Sequence, residues 1–412
     1  MNRVVITGMG VVSSIATDLQ AYWENLIKGV NGITEITSIP HDDIPVHFAG
    51  EVKDFDPLLN GVPKDMARRN DRFAQFALSA ASKAVADSGI VSGENIEPER
   101  FGVYIGSGIG GLHTLEKEHS KLLEEGSARV SPLFIPMMIS NIAAGNVAII
   151  HNAQGPCLPT VTACATSSHA IGEAFRAIRY GYADAIISGG SEAAISPLAI
   201  GGFFTSKALS RAEKADEVSL PFDKRRQGFT MGEGAGVVVL EEYEHAVKRG
   251  AKIYAEVCGY GNTCDAHHIT APRPDGACAQ RAITLALQEA GYQSGERLYV
   301  NAHGTGTPFN DKSETVALKN ALGEAEARKA YISSIKSMIG HCLGAAGGLE
   351  LVATALTLKN GIIPPTINLN EPDPDCDLNY VPNVAIEEQC VIAISENFGF
   401  GGQNACLALR KV

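Results

Sequence analysis

Residues 161–175 read VTACATSSHAIGEAF, in which small and β-branched apolar residues run into a cysteine and a helical pattern begins at once. The first turn of a helix carries unpaired N–H groups and the positive end of its dipole, so a thiolate at Cys164 would be stabilised and its pKa lowered. That makes a nucleophile; the plainer reading is a small buried hydrophobe, the commonest fate of cysteine. A nucleophile needs proton handling and an oxyanion site, and the second half of the chain offers both. His303 stands in NAHGTGTP at the end of a strand-like run, where a side chain leaves the sheet toward a cleft. Thr305 and Thr307 follow at alternate positions with glycine between them, so their hydroxyls share a side while the backbone stays open. Lys336 and His341 lie five residues apart in IKSMIGHCLGAAGG, among glycines that let backbone and ligand approach closely. ENFGFGGQN adds a glycine loop around Phe398 and Phe400. Taken singly these are a satisfied histidine, a solvated lysine and a turn; taken together they point to covalent catalysis by a thiol.

Other polar residues fall outside the set. His169 is five positions after Cys164 and projects from a different helix face, which excludes it as the base. His267 and His268, in CDAHHITAPRPDG, lack metal-ligand spacing and read as loop residues, with Thr270 a candidate ligand contact. Gly106, Gly108 and Gly111 spell GxGxxG, yet the polar LHTLEKEHSKLLEEG follows and no strand closed by an acid comes next, so a dinucleotide site is not expected.

Strand-like runs alternate with longer helical patterns, which predicts α/β architecture with buried sheets. FALSAASKAVADSGI then ERFGVYIGSGIGG is helix, strand, glycines; RAITLALQEAGY then ERLYVNAHGTGTP repeats that order. VVITGMG and AEVCGYG open the two halves alike, and a Gly/Ala-rich helix begins beside Cys164 in one half and His341 in the other. A chain of 412 residues exceeds one typical core. Two similar halves are therefore expected, 1–250 and 251–412, with their site where they meet and an insertion near 107–155. The insertion's SPLFIPMMISNIAAGNVAII is apolar and Met-rich, suited to a pocket wall or a subunit interface.

A net charge of −12 argues against nucleic acid or an anionic membrane as the main partner. The nine cysteines are scattered without a CxxC, as in reduced cytosolic proteins. The first residues, MNRVVITGMGVV, lack a long apolar leader, and no run of 18 apolar residues occurs, so a cytoplasmic protein is expected.

TACATSSHAIGEAF, FDKRRQGFTMGEGAGVVVLE, NAHGTGTPFNDKSET, KSMIGHCLGAAGGLE, PPTINL and FGFGGQN, in order and over nearly the whole chain, resemble the β-ketoacyl-[acyl-carrier-protein] synthases, the condensing enzymes of bacterial type II fatty acid synthesis. The resemblance implies a thiolase-like fold of two duplicated α/β halves in a five-layered α-β-α-β-α arrangement, acting as a homodimer. It makes Cys164 the acyl-accepting nucleophile and His303 with His341 the pair acting on malonyl-carrier protein. Lys336 would tune the site, with Glu350 as its ion-pair partner and Asp311 and Glu314 in support. Phe400 would gate the acyl pocket, its N–H and that of Cys164 forming the oxyanion hole. Thr270, Thr305 and Thr307 resemble contacts to the phosphopantetheine arm that the substrates carry; no cofactor is otherwise required.

The implied partner is an acyl carrier protein, typically acidic like this chain, so docking needs a local basic surface. PKDMARRNDR offers Lys64, Arg68 and Arg69 on one helical face, and Arg129 and Lys207 match places near the tunnel mouth in relatives; the plainer reading is a solvated charged helix. Glu396 and Asn397 depart from the family's Asn then Ser or Thr, and Gln403 replaces Thr or His. Relatives can hold a structural cation near Asn301 and Glu350, and an added carboxylate at Glu396 would strengthen that site or change its ion. A thiolase would need a second cysteine as acid, which no C-terminal motif supplies. A polyketide ketosynthase would share the whole catalytic set, whereas a chain-length-factor-like subunit would lack the nucleophile.

Overall fold

The computed structural model describes residues 1–40 and 43–412. Nine strands form one hydrogen-bonded sheet. In chain order they are β1 (Val4–Val12), β2 (Phe101–Gly106), β3 (Ala185–Glu192), β4 (Gly234–Glu242), β5 (Ala255–Cys264), β6 (Leu298–Asn301), β7 (Tyr331–Ser333), β8 (Ile392–Gly399) and β9 (Gln403–Arg410). Their spatial order is β2-β3-β4-β1-β5-β9-β8-β6-β7. Each half begins with a central strand, β1 or β5, and ends with the strand beside it, β4 or β9. The two central strands pair antiparallel, Val4 opposite Val257 and Ile6 opposite Ala255. Outside β2, Cys157 bridges Val103 in parallel, occupying the place that β7 holds outside β6. The repeat read in the sequence is thus a repeat of strand order.

The helices supply the layers. α1 (Arg72–Ser88) and α2 (Ile142–Ile150) cover the outer face of the first half in one apolar core. α4 (Ala277–Glu289) and α5 (Pro308–Leu322) cover the second. Between them lie α3 (Thr166–Arg179) and α6 (Ala346–Asn360), which pack together with both halves of the sheet in a third core. Helix, sheet, helix, sheet, helix is the five-layered order, with the sheet continuous through the β1–β5 pair. α6 is buried from Ala346 to Leu358, which explains why its sequence, AGGLELVATALTLKN, has apolar residues all round. Its glycines let it cross α3: a Cβ at Gly347 would sit 2.1 Å from the Ser168 hydroxyl.

The expected insertion folds as Leu112–Glu125, a short exposed helix Phe134–Met138, and α2. No helix among the described residues is long and apolar enough to cross a membrane.

Candidate active site

Cys164 sits in a short 3₁₀ turn, Ala163–Ala165, that runs directly into α3. The turn Leu343–Ala345 runs into α6 in the same way, just after His341. Both turns start on a non-glycine residue in the left-handed region, Ala163 at φ +49° and Leu343 at φ +47°. Such a conformation costs about 1–3 kcal/mol and persists only where the surroundings hold it. At the second turn Glu192, at the end of β3, does so, and it ties that turn to the 107–109 loop. Its carboxylate accepts from Gly344 N (3.0 Å), Gly108 N (2.9 Å), Ile109 N (3.2 Å) and the Ser107 hydroxyl (2.7 Å). Those glycine-loop N–H groups bind a protein carboxylate, so the GxGxxG of the sequence is a structural turn beside the site.

The helix start does not lower the Cys164 pKa. Burial pushes the thiol up to about 11, against the lowering pull of the Lys336 charge and of the Phe400 and Cys164 backbone N–H groups. The sulfur lines a mainly apolar cavity, where desolvation of a thiolate outweighs the N–H groups and the Lys336 charge. Both N–H groups act on the sulfur, close to where the oxygen of a tetrahedral adduct on that sulfur would form. The loop after β8 brings Phe400 there, so close that a Cβ at Gly399 would lie 3.3 Å from Cys164 N.

A cavity of about 150 Å³ joins Cys164 to His303, His341 and Phe400. The imidazoles meet edge to face with centroids 5.4 Å apart. His303 leaves the end of β6, and its position is fixed from behind: Glu314 on α5 accepts from His303 N (2.6 Å) and Gly304 N (2.8 Å). Asp311, one turn earlier, accepts from Thr305 N (3.1 Å), Gly306 N (3.2 Å) and Phe222 N (2.8 Å). Two carboxylates of α5 therefore hold the NAHGTGTP loop by its backbone, the supporting position expected of them.

Lys336, only 1% exposed, binds Glu350 of α6 in a buried ion pair and reaches within 3.5 Å of His303 Nδ1. Asn397 Nδ2 donates to Glu350 at 2.7 Å and also lies 3.5 Å from His303 Nδ1. With two donors facing Nδ1, the ring proton belongs on Nε2. Burial and then the Lys336 charge hold His303 and His341 well below the ordinary histidine range, with His341 adding to the effect on His303. Both rings are neutral N–H donors at neutral pH.

Thr270, Thr305 and Thr307 line the same cavity. The Thr305 and Thr307 hydroxyls are 3.0 Å apart, on one side as their spacing predicts. His268 closes the Thr270 turn by accepting from Thr270 N and Ala271 N, each at 3.1 Å. His169 faces Thr162 (2.8 Å) and Asn262 (3.2 Å) and takes no part at the sulfur. Lys64, Arg68 and Arg69 are exposed on the short helix Lys64–Arg69, and Lys207 is exposed as well. Arg129 is exposed but engaged by Glu125 at 3.1 Å.

The residues around Asn301 do not fit the enlarged cation site. Asn301 pairs with Ser395 in register, on the sheet face toward α6, where Asn301 Nδ2 donates to the Glu350 carbonyl at 3.2 Å. Glu396 is next in the strand and so lies on the other face, beside Cys406 and Glu314. Glu350 is already bound by Lys336 and Asn397. No group of three acidic, histidine or cysteine side chains among the described residues is arranged to hold a metal. Glu396 therefore does not add to the Asn301 and Glu350 neighbourhood.

Three contributors escaped sequence reasoning. Glu192 was visible only as the acid closing a strand in SGGSE. Asn397 stood out as a departure without a role. Phe229, whose ring stands 5.3 Å from that of His341, lay within FDKRRQGFTMGEGAGVVVLE but was given no role.

Residues 1–246 match the model of the β-ketoacyl synthase N-terminal domain, and residues 254–370 that of the C-terminal domain. The chain is 50% identical over 410 residues to a 3-oxoacyl-[acyl-carrier-protein] synthase 2 of Synechocystis, covering 99% of this chain and 98% of the relative. It is 49% identical over 409 residues to the protein of that name from Staphylococcus aureus, with the same coverage. Among solved structures, a β-ketoacyl synthase from Burkholderia phymatum superposes with TM-score 0.92 at 36% identity over all of both chains. A chain from a complex of a type II polyketide acyl-carrier protein with its ketosynthase gives TM-score 0.92 at 34% identity, again over all of both. Full-length similarity in sequence and fold places the chain in the β-ketoacyl synthase family.

Proposed function

We propose that this enzyme performs a decarboxylative Claisen condensation, joining an acyl chain held on Cys164 to malonyl-carrier protein and giving a 3-oxoacyl thioester two carbons longer. The observation that carries the reading is one cavity holding a thiol under two backbone N–H groups and two neutral imidazoles.

Cys164 attacks the acyl thioester. At neutral pH the thiol is largely protonated, so its proton must leave as the C–S bond forms; either neutral imidazole of the cavity can take it and pass it to the departing pantetheine sulfur, so loss of one ring leaves this relay to the other. The negative oxygen of the tetrahedral intermediate lies between the Cys164 and Phe400 N–H groups, worth roughly 10²–10³ in rate per donor in comparable sites. Malonyl thioester then enters past Thr270, Thr305 and Thr307. Loss of CO₂ leaves an enolate whose oxygen accepts from His303 Nε2–H and from His341. Neutral imidazoles suit this step because they donate to oxygen without protonating the carbon. Lys336 keeps the pair neutral, and Glu350 balances its charge. The carbanion attacks the acyl-Cys carbonyl, the N–H pair holds the second oxyanion, and the Cys164 thiolate departs.

Cys164 also speaks against a non-catalytic chain-length-factor-like role, and among the described residues no second cysteine lines the cavity as a thiolase would need. The acyl carrier protein docks, in this reading, on Lys64, Arg68 and Arg69, with Leu58 (50% exposed) lining a surface depression beside Lys64 and Arg68. A homodimer belongs to the same reading. The edge outside β2 carries Leu158 (49% exposed) and Val161 (55%), an apolar strip that a second copy would cover. Incubating the protein with malonyl-carrier protein and acyl-carrier proteins of graded length, then reading product masses, tests the reaction; no product two carbons longer would reject it.

A further inference from the structure

Behind His303, on the far face of β8 from Lys336, two carboxyl groups meet. Glu396 on β8 and Glu314 on α5 are both 0% exposed and within hydrogen-bonding reach of each other. Their surroundings differ. Glu314 accepts from His303 N, Gly304 N and Asn310 Nδ2 (3.3 Å). Neither Glu396 oxygen receives a donor among the described residues. Its strand neighbours on that face are Ile394 and Cys406, in an apolar core.

A buried carboxylate without a donor is not sustainable, and two touching carboxyls cannot both be charged. The charge belongs on Glu314, where three N–H donors face it. A carboxylate has about four lone-pair sites; three are filled, and one remains for an O–H. Burial raises both groups, but its hydrogen bonds hold Glu314 to about 7, whereas burial and the Glu314 charge push Glu396 well above the carboxylate range.

We propose that Glu396 is a positioning residue: a neutral carboxylic acid whose O–H donates to the Glu314 carboxylate, completing the anchor that holds the His303 and Gly304 backbone. The inference rests on the assigned role of His303, and it gives a purpose to a side chain that the catalytic steps leave unused. It explains how an acid occupies this position without an ion: the proton supplies the fourth donor to Glu314. The rival is a cation clamped between the two carboxylates.

Four readouts separate these. Infrared difference spectra of the whole protein should contain a protonated-carboxyl C=O band that Glu396→Gln removes; the absence of such a band would overturn the proposal. Glu396→Gln keeps a donor toward Glu314, so CO₂ release from malonyl-carrier protein should stay within about three-fold of the parent. Glu396→Leu removes the donor, and CO₂ release should fall by roughly 10–100-fold. Single-turnover acylation of Cys164, which does not use His303 as enolate donor, should change less than about three-fold. Equal loss of both steps in Glu396→Leu, or a loss in Glu396→Gln as large as in Glu396→Leu, would reduce Glu396 to packing. Should Glu396→Leu fail to fold, the infrared band and the Glu396→Gln comparison still decide. Stoichiometric metal in the purified protein, lost in Glu396→Gln, would establish the cation instead. Loss of all condensation in the parent protein would count against the proposed reaction and leave the infrared result standing.

Discussion

Lys336 Nζ lies 3.5 Å from His303 Nδ1 while bound to Glu350 on its other side, so a buried positive charge faces the unprotonated nitrogen of the imidazole proposed to hold the enolate. The charge opposes formation of imidazolium. Replacing Lys336 by Met should raise the pKa of His303, through loss of Lys336 and through the Glu350 carboxylate left without its cation. The acid limb of the pH profile for CO₂ release should move to higher pH. An unshifted limb would show that burial alone keeps the ring neutral.

Cys164 should be alkylated slowly at neutral pH. With the thiol near 11, the thiolate fraction rises about tenfold per pH unit below that value. Peptide mass mapping after iodoacetamide treatment at graded pH should show that rise. A plateau already reached near pH 7 would restore the lowered pKa expected of a helix start.

Glu192 is the tie among three segments at the site. Glu192→Ala leaves the Ser107 hydroxyl and three backbone N–H groups without their acceptor, and should cost at least about 3 kcal/mol in denaturant unfolding. Glu192→Gln retains one acceptor oxygen and should cost less. A loss below about 1 kcal/mol for the alanine variant would mean that the turn before α6 and the 107–109 loop hold themselves.

Arg68 and Arg69 are exposed. Reversing both to Glu should raise the Michaelis constant for acyl-carrier protein and weaken its salt dependence, while turnover of a small acyl-pantetheine hardly changes. Equal impairment with both substrates would make the helix a structural support.

Much of this was legible in the chain because it is local. Helix periods gave α1 and α4, and the spacing of Thr305 and Thr307 gave the shared side of their hydroxyls. The Cys164 pKa was not legible, since it depends on how deeply packing from both halves buries the sulfur. Nor was the fate of Glu396: the residues beside it suggested an ion site, but strand alternation sends Asn301 and Ser395 to one face and Glu396 to the other. Only the β6–β8 register shows that.

The division of labour between the backbone donors and the two imidazoles is the centre of the mechanism. Single-turnover acylation of Cys164, measured beside CO₂ release in His303→Ala and His341→Ala, tests it most directly. Acylation should persist within about tenfold while CO₂ release falls by roughly 10²–10⁴. If acylation fell in step with decarboxylation in both variants, the imidazoles would not be the enolate donors, and the assignment would be wrong.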